Sequence, residues 1–396
     1  MNNPLEQIDD LLQPQDWSFP VPISYGPGRL SEISSHCKMM GLQNPLIVTD
    51  KGSAHLPFIK LLQDFLSLAN IPSALFDEVS PNPLEKDILA GREKFHNGKH
   101  DAVIAIGGGS AMDAGKCICL TANNDHSVWD FEFDLPVPMI QHDQPFPTLI
   151  TIPTTAGTGA ETESTAMVTD VNKCMKFCVW HPDLKPSLVL LDPELTLGLP
   201  PTLTAWTGAD AMVHAIEAFL VPGFHPLCDG AALEGLRLVS KWLPTAVHEP
   251  SNLAARGGML VGSCLAGIAF LKGLGMVHAI SHMVGAEFDT QHGLTNAIIL
   301  PVVLRFNLPG LESQVARMAK VMNLKDGSID SFIAEIENML DDINIPKSLK
   351  EIDVPSECAQ RIAEKAILDS AAGTNPRQAT VEEIKVLVET AIERSR

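Results

Sequence analysis

The chain has 396 residues, of which 45% are hydrophobic and 19% charged, so it is long enough for two globular domains and is not disordered. Its formal net charge of −20 argues against nucleic acid or an anionic membrane surface as a main partner. No apolar run reaches the ~18 residues of a membrane span, and the polar, acidic residues 1–15 do not form a secretory signal. We therefore expect a cytoplasmic protein.

The eight cysteines are scattered along the chain. Cys117 and Cys119 are two residues apart and Cys174 and Cys178 four apart, with no second cluster to complete a zinc framework. Several lie within apolar runs, where cysteine behaves as a small hydrophobic residue. This usage predicts a reducing compartment and no disulfides.

From about residue 45, short apolar runs alternate with helical patterns. The predicted strands are residues 46–50, 73–77, 102–106, 148–152 and 187–191, and the predicted helices between them are residues 54–68, 84–95 and 111–122. This alternation is typical of a parallel sheet with helices on both faces. The loop 123–147, rich in Asp and Pro, is predicted to cross the surface.

The clearest strand, residues 102–106, runs into Gly107, Gly108, Gly109 and Ser110, where a helix starts. Glycine lets the backbone approach a ligand closely, and a helix N-terminus offers free N–H groups and a partial positive charge. The loop is therefore either a pyrophosphate seat or a tight turn without a ligand. It differs from the usual G-x-G-x-x-G pattern and follows the third strand instead of the first.

Asp50 ends the first of these strands. An acid at a strand tip can accept hydrogen bonds from ribose hydroxyls and repel a 2′-phosphate, although alone it is also a common loop or capping residue. Together with the glycine loop it favours NAD over NADP. The later loop, residues 153–161, combines glycines with threonine hydroxyls and can approach a cofactor closely.

Beyond residue 200 the strand signals fade and helical patterns follow one another. These cover residues 204–219, 227–243, 251–270, 276–287, 294–305, 312–322, 328–341, 358–370 and 380–394. The sequence thus predicts an α/β domain over residues 1–192 and an all-helical domain over residues 193–396, with the boundary near Asp192 and Pro193.

Two of these helical stretches carry polar side chains in apolar surroundings. Asp210 and His214 are four residues apart and share a helix face, and His278 and His282 repeat that spacing before His292. Such groups need a partner when buried. Either segment alone is explained by hydrogen-bonded core residues, whereas one aspartate with three histidines is a ligand set suited to iron or zinc.

With these motifs in place, the sequence resembles the iron-containing (group III) alcohol dehydrogenases over nearly its whole length. The motifs are G-G-G-S-A-M-D-A-G-K (107–116), P-T-T-A-G-T-G-A-E (153–161), G-A-D-A-M-V-H-A-I-E-A (208–218), H-A-I-S-H (278–282), H-G-L-T-N-A (292–297) and N-P-R (375–377). The resemblance implies an N-terminal dinucleotide-binding α/β domain and a C-terminal all-α domain, the fold shared with dehydroquinate synthase.

The resemblance also implies roles for single residues. It makes the metal ligands Asp210, His214, His278 and His292. It makes the cofactor-binding residues Asp50, Gly107, Gly108, Gly109, Ser110, Asp113, Thr154, Thr155, Thr158 and Lys176. His282 matches a histidine close to the nicotinamide that is not a ligand, and we hypothesise that it relays a proton or holds the nicotinamide ribose. The expected cofactors are NAD and Fe²⁺, with Zn²⁺ as the alternative metal.

The implied activity is hydride transfer between NAD(H) and a short or medium aliphatic alcohol or aldehyde held at the metal, in a homodimer or higher homo-oligomer. Residues 270–275 are one residue shorter than in many members, and Met283 stands where proline is frequent, so the substrate stays open. Phe270, Leu271, Met276 and Met283 suggest an apolar pocket.

Three alternatives remain. A zinc-dependent polyol or glycerol dehydrogenase would use the same residues. A lyase of the dehydroquinate synthase type needs a basic cluster for a phosphate-bearing substrate, and none is found around the ligand segments. A non-enzymatic relative would keep the fold without the chemistry, which the retained ligand set and glycine loop disfavour.

Overall fold

The computed structural model describes residues 15–17 and 21–394. Residues 1–14, most of the stretch predicted not to be a secretory signal, lie outside the described residues. The chain divides into two compact units. The first comprises Met1–Thr155, Ala160–Asn172 and Lys176–Gly198, and the second comprises Ala156–Gly159, Lys173–Met175 and Leu199–Arg396. The domain division at residues 192 and 193 stays a prediction.

The first unit is built on a seven-stranded sheet of order β1-β2-β9-β6-β5-β3-β4. Its neighbouring strands are parallel except β1, which is antiparallel to β2. A second sheet pairs β7 with β8. The strands are β1 Gln15–Trp17, β2 Ile23–Tyr25, β3 Pro45–Asp50, β4 Ala74–Val79, β5 Ala102–Gly107, β6 Thr148–Pro153, β7 Thr165–Asp170, β8 Met175–Trp180 and β9 Leu188–Leu191.

Helices cover both faces of the large sheet. They are α1 Ile33–Met39, α2 Pro57–Leu68, α3 Glu85–Asn97 and α4 Gly109–Ala122, with 3₁₀ turns at Arg29–Glu32, Val128–Phe131 and Pro193–Thr196. Ile47 and Ile104 face the core that α1 and α2 complete, whereas Val48 and Val103 face the core of α3 and α4. Successive strand residues point to opposite faces, so a strand buried on both sides reads as a continuous apolar run. The predicted two-faced parallel sheet is confirmed.

The strand order reverses beside β3. The chain leaves β3 for β4 on one side and then returns to β5 on the other. In parallel α/β sheets the carboxyl ends of the strands at such a reversal border a ligand-binding crevice. Asp50 and Gly107 are the last residues of the two strands concerned, β3 and β5.

The second unit is helical. Its helices are α5 Pro201–Leu220, α6 Pro226–His248, α7 Leu253–Ala269, α8 Met276–Phe288, α9 His292–Asn307, α10 Glu312–Val321, α11 Ile329–Asp342, α12 Ala359–Ala366, α13 Ser370–Thr374 and α14 Val381–Glu393. Three 3₁₀ turns lie at Phe270–Lys272, Leu349–Ile352 and Ser356–Cys358. Almost every residue of α5 after its first turn is buried, because α6, α7 and α9 pack around it. The α/β-plus-helical fold class is confirmed.

One helix, Leu253–Lys272, is long and apolar enough to cross a membrane by length and composition alone. Arg256 interrupts its apolar residues, so this finding does not contradict the expectation that no unbroken apolar run reaches the length of a membrane span. In addition, 78% of its apolar 18-residue stretch is buried inside the fold. A helix enclosed by protein on all sides is apolar all round for that reason alone.

Other elements differ from the predicted ones. The predicted helix 358–370 is split into α12 and α13, because Asp369 leaves the helical conformation and its side chain caps α13 at Ala371 N. Strands β1, β2, β7 and β8 and helix α1 were missed. These elements are three to seven residues long, and β7 and β8 carry Thr, Asp, Lys and Cys instead of an unbroken apolar run.

Candidate functional site

Helix α5 places an acid and a histidine on one face. Asp210, His214 and Glu217 follow at i, i+4 and i+7, so they lie along a single line of the helix. All three are almost completely buried. Because this helix has no solvent-exposed face, its three ionisable groups need partners from other parts of the fold.

Helices α8 and α9 supply the other two histidines. His278 lies in the first turn of α8, and His292 is the first residue of α9. The glycine after His292 allows a close approach, since a Cβ on Gly293 would lie 2.4 Å from the carbonyl oxygen of Trp206. The start of α9 therefore rests directly against α5, which brings His292 beside Asp210.

Four donor atoms converge on one point. Oδ1 of Asp210 is 3.9 Å from Nε2 of His214, 3.8 Å from Nε2 of His278 and 3.8 Å from Nε2 of His292. These distances are too long for hydrogen bonds. Atoms that bind one ion at about 2.1 Å lie up to about 4.2 Å apart. All four donors are within 4.8 Å of one another, so small side-chain movements suffice for a shared divalent ion.

The Nδ1 atom of each of the three histidine rings, called the rear nitrogen because Nε2 faces the other donor atoms, has its own neighbour. Nδ1 of His214 donates to the carbonyl oxygen of Gly157 at 3.2 Å, and Nδ1 of His278 donates to Oε2 of Glu217 at 2.7 Å. Nδ1 of His292 lies 3.2 Å from Oγ of Ser281. A partner on Nδ1 fixes the ring orientation and leaves Nε2 available, which is the usual arrangement around metal-binding histidines.

Asn296 lies among the donor atoms. Its Nδ2 donates to Oδ1 of Asp210 at 2.7 Å and is 3.1 Å from Nε2 of both His278 and His292, while its Oδ1 is buried without a hydrogen bond. One amide has two hydrogens for three such acceptors. The two hydrogens of the amide cannot bond all three atoms at once, and one carboxylate oxygen beside three imidazole nitrogens is a donor set that fits a divalent cation.

The protein environment shifts the pKa values of two of these rings. Burial lowers the pKa of His214 to about 4, against the opposing charge of Asp210, so this ring is neutral at ordinary pH. Burial also opposes charge on His278, but the hydrogen bond and charge of Glu217 outweigh it and raise the pKa of His278. A proton therefore competes with a metal ion for His278 as the pH falls.

His282 is not one of the four. Its ring stacks on that of His292, with centroids 5.5 Å apart, and its Nδ1 donates to Oδ2 of Asp369 at 2.9 Å. The other carboxylate oxygen of Asp369 accepts from the backbone N–H of Ala371. This arrangement leaves Nε2 of His282 as the free ring nitrogen.

Three residues that surround the cluster were missed in the sequence. Glu217 and Asn296 lie inside the motifs already quoted, where an acid and an amide in apolar helices were the available signal. Asp369 lies in a segment predicted as continuous helix, so the sequence carried no signal for it. Asn375, from the N-P-R motif, accepts from Met276 N at 3.0 Å and so caps α8.

In the first unit, Asp50 and the glycine loop are adjacent. Gly107 has a φ of 147°, and a Cβ there would lie 2.7 Å from Cβ of Ala111 and 2.9 Å from Oδ2 of Asp50. Only glycine fits this position. The Asp50 carboxylate accepts from the backbone N–H and the hydroxyl of Ser53 at 3.0 and 2.8 Å. The two predicted nucleotide contacts thus meet where the strand order reverses.

The neighbouring loops follow the same edge of the sheet. Helix α4 begins at Gly109 and Ser110, and no side chain caps it at Gly108. The backbone N–H of Thr154 donates to the carbonyl oxygen of Gly107 at 2.9 Å, and a Cβ on Gly108 would lie 3.6 Å from Cγ2 of Thr155. The start of α4 thus has no side-chain cap and lies beside loops that contain small side chains, which is the arrangement expected of an anion-binding helix N-terminus.

Asp113, Lys176 and Thr158 are the remaining predicted cofactor residues. Burial raises the pKa of Asp113 to about 6, although the charges of Lys116 and Lys176 act in the opposite direction. Asp113 and Lys176 therefore lie close enough to interact within the first unit. Thr158 belongs to the segment Ala156–Gly159, which is part of the second unit.

The four residues expected to form an apolar pocket differ in position. The ring of Phe270 lies 5.1 Å from that of His214, and Leu271 is exposed. Met276 and Met283 are fully buried. Phe270 therefore packs beside one of the four proposed ligands.

Two family descriptions match successive parts of the chain. "Iron-containing alcohol dehydrogenase" matches residues 20–193, and "Fe-containing alcohol dehydrogenase family, C-terminal" matches residues 204–392. The 1,3-propanediol dehydrogenase of Klebsiella pneumoniae is 33% identical over 385 residues, which cover 95% of this chain and 98% of that protein. The NAD-dependent methanol dehydrogenase of Bacillus methanolicus is 32% identical over 374 residues, which cover 93% and 97%.

The fold gives the same result. The alcohol dehydrogenase from Oenococcus oeni has a solved structure that superposes with a TM-score of 0.88 at 32% identity and covers 93% of this chain and 97% of that chain. These matches extend over almost the full length of each protein. The chain belongs to the iron-containing alcohol dehydrogenase family and is an oxidoreductase.

Proposed function

We propose that this protein is a metal-dependent NAD(H) alcohol dehydrogenase that interconverts a short or medium aliphatic alcohol and its aldehyde. The observation that carries the proposal is the convergence of one carboxylate oxygen and three imidazole Nε2 atoms within 4.8 Å in an apolar helical core. The proposed ion is Fe²⁺, with Zn²⁺ as the alternative, since both accept this N/O donor set.

Asp210, His214, His278 and His292 would hold the ion, and Asp210 offsets part of its charge. When bound, the ion supplies Lewis-acid polarisation of the hydroxyl or carbonyl oxygen, and the nicotinamide supplies the hydride acceptor or donor. The side chains of Asp210, His214 and His278 are almost fully buried and that of His292 is 25% exposed, and electrostatic interactions are stronger where contact with water is limited. The partners on the rear nitrogens keep the three rings in place before substrate arrives.

The proposed nucleotide-binding site lies at the C-terminal ends of β3, β5 and β6. Backbone N–H groups at Gly108, Gly109 and Ser110 would bind the pyrophosphate, and Asp50 would accept from the ribose hydroxyls. The negative charge of Asp50 repels a 2′-phosphate, which supports NAD as the cofactor. The methanol dehydrogenase that the chain resembles is NAD-dependent by its name.

His282 is the proposed group for proton movement. Asp369 accepts from Nδ1 of His282, so the proton of the neutral ring lies on Nδ1 and Nε2 is able to accept one. In the oxidation direction Nε2 would take the hydroxyl proton, and in the reduction direction it would return it. His282 does not need to bind the ion for this role.

The test is an activity panel on separately reconstituted protein. The purified chain is stripped with a chelator, reloaded with Fe²⁺ or Zn²⁺, and assayed for NADH formation or consumption with aliphatic alcohols, polyols and aldehydes. We expect activity to return with the metal and to be highest for short or medium aliphatic substrates. Full activity of the stripped protein in chelator would contradict the proposal, and a preference for glycerol would favour a polyol dehydrogenase.

A further inference from the structure

Glu217 makes three hydrogen bonds inside the helical unit. Its Oε2 accepts from His278 Nδ1 at 2.7 Å and from Gly275 N at 3.0 Å, and its Oε1 accepts from Val277 N at 2.8 Å. The side chain is only 4% exposed. Both oxygens of this buried carboxylate are therefore occupied, and all three donors belong to the segment that carries His278.

The backbone of that segment is shaped around Glu217. A Cβ on Gly275 would lie 2.6 Å from Oε1 of Glu217 and 2.9 Å from Oδ1 of Asn375, so a larger residue at this position would displace one of these side chains. Gly275 has no side chain with which to cap α8, and Glu217 bonds the N–H groups of Gly275 and Val277 in its place. The position of His278 in the first turn of α8 thus depends on a carboxylate from α5.

Glu217 shares one face of α5 with two of the proposed metal ligands. Asp210 and His214 precede Glu217 at seven and three residues on α5. A rigid helix therefore fixes the distance from two of the proposed ligands to the residue that holds a third, His278, on α8. A carboxylate on the rear nitrogen of a metal-binding imidazole also makes Nε2 a stronger donor.

Building on the proposed metal site, we propose that Glu217 is a positioning residue that orients His278 toward the ion and increases its affinity for it. It acts through His278 and does not bind the ion. The role is distinct from helix capping alone, because a cap would stabilise α8 equally well without a bond to the imidazole.

The experiment measures Co²⁺ binding to metal-free protein. Dissociation constants come from competition with a chromophoric chelator, and the visible absorption of bound Co²⁺ reports the ligand geometry. We expect Glu217→Gln to weaken Co²⁺ binding by about 10–100-fold and to alter the absorption spectrum, because such partners of ligand histidines typically have effects of this size. Unchanged affinity with an unchanged spectrum would overturn the proposal.

Asn375→Ala is the matched control. Asn375 caps the same end of α8 through Met276 N but has no bond to His278. We expect the control to lower the melting temperature of the metal-free protein while leaving Co²⁺ affinity and spectrum close to those of the parent. An equal loss of affinity in both variants at equal loss of stability would show that only capping matters, and would overturn the proposal.

Glu217→Asp covers the case in which Glu217→Gln does not fold. It keeps the charge but withdraws the carboxylate by one methylene, so we expect weaker Co²⁺ binding and a changed spectrum in a folded protein. Parent-like binding by this variant would overturn the proposal. Failure of the parent chain to bind Co²⁺ would contradict the proposed metal site itself and is distinguishable, because it is seen without any substitution.

Discussion

Nδ1 of His282 lies 2.9 Å from Oδ2 of Asp369, and both side chains are almost fully buried. The two residues are 87 positions apart in the chain, so the fold and not local sequence creates the pair. A carboxylate in this position sets the tautomer of the imidazole and orients the ring, as in catalytic histidine–aspartate pairs generally.

The His282–Asp369 pair leads to the first prediction. His282→Ala is expected to lower kcat by about 10²–10⁴-fold, the usual contribution of a general acid–base group, with bound metal near normal. Asp369→Asn is expected to lower kcat less, because the ring remains but its orientation weakens. Steady-state kinetics with metal analysis of each variant measure both effects. A His282→Ala protein that had simply lost its metal would refute the assignment.

The second prediction concerns the proposed ligands. His292→Ala is expected to remove tight metal binding and activity together, because three donors in a buried site with one open position hold a divalent ion less well. Metal content after dialysis and NADH-linked activity are measured on the same preparation. His248→Ala is the control, since His248 is exposed and pairs with Asp342 away from the cluster. Normal metal content in His292→Ala would contradict the ligand set.

The third prediction concerns cofactor choice. Asp50→Gly removes the charge beside Gly107 that would repel a 2′-phosphate, so the ratio of kcat/KM for NADP over NAD is expected to rise by at least about tenfold, or about 1.4 kcal/mol. Asp64 is exposed on α2, and Asp64→Asn makes the same change of charge there, so it is expected to leave the ratio unchanged. Equal ratios in the parent and Asp50→Gly would remove Asp50 from the nucleotide site.

Much of the fold follows from local patterns. Apolar runs such as residues 102–106 predict strands buried on both faces, and the four-residue spacing of Asp210 and His214 is enough to predict that they share a helix face. The contacts that organise the site are not local. Glu217 meets His278 across 61 residues, and the carbonyl oxygen of Gly157 meets His214 across 57, so neither pairing is readable from residue spacing.

Close contacts between backbone segments of the site are also not evident from the sequence, and one of them leads to the fourth prediction. Gly159 has a φ of 62°, and a Cβ on Gly267 would lie 2.4 Å from the carbonyl oxygen of Gly159. This contact holds the segment Ala156–Gly159 against α7 and thereby places the Gly157 oxygen at His214. Gly267→Ala is expected to lower the unfolding free energy by about 1–3 kcal/mol through overpacking and to weaken metal binding.

Denaturant titration and chelator competition measure the two effects of Gly267→Ala. The control is Gly230→Ala on α6, where nothing lies within 4 Å of an added Cβ. Alanine is the better helix former there, so the control is expected to be neutral or slightly stabilising. Equal behaviour of the two variants would show that the contact between Gly159 and Gly267 has no energetic weight.

The fifth prediction concerns pH and a buried network in the first unit. Glu163 and Lys116 are both fully enclosed, and Nζ of Lys116 donates to the carbonyl oxygen of Thr165 at 2.7 Å. Burial raises the pKa of Glu163 to about 8, while the charge of Lys116 acts against that rise. Between pH 4.5 and about pH 8, Glu163 therefore keeps a proton in the folded state that it has released in the unfolded chain.

Stability from such a group is fully present below the unfolded pKa of 4.5 and is lost as the pH rises to about 8. Glu163→Gln removes this loss, so its melting temperature relative to the parent is expected to rise between pH 5 and pH 8. The expected gain is at least about 3 °C, the shift that about 1 kcal/mol produces in a domain of this size. Glu93→Gln on the exposed face of α3 should instead stay parallel to the parent. A difference that is constant with pH would mean that Glu163 is ionised in the folded protein throughout this range.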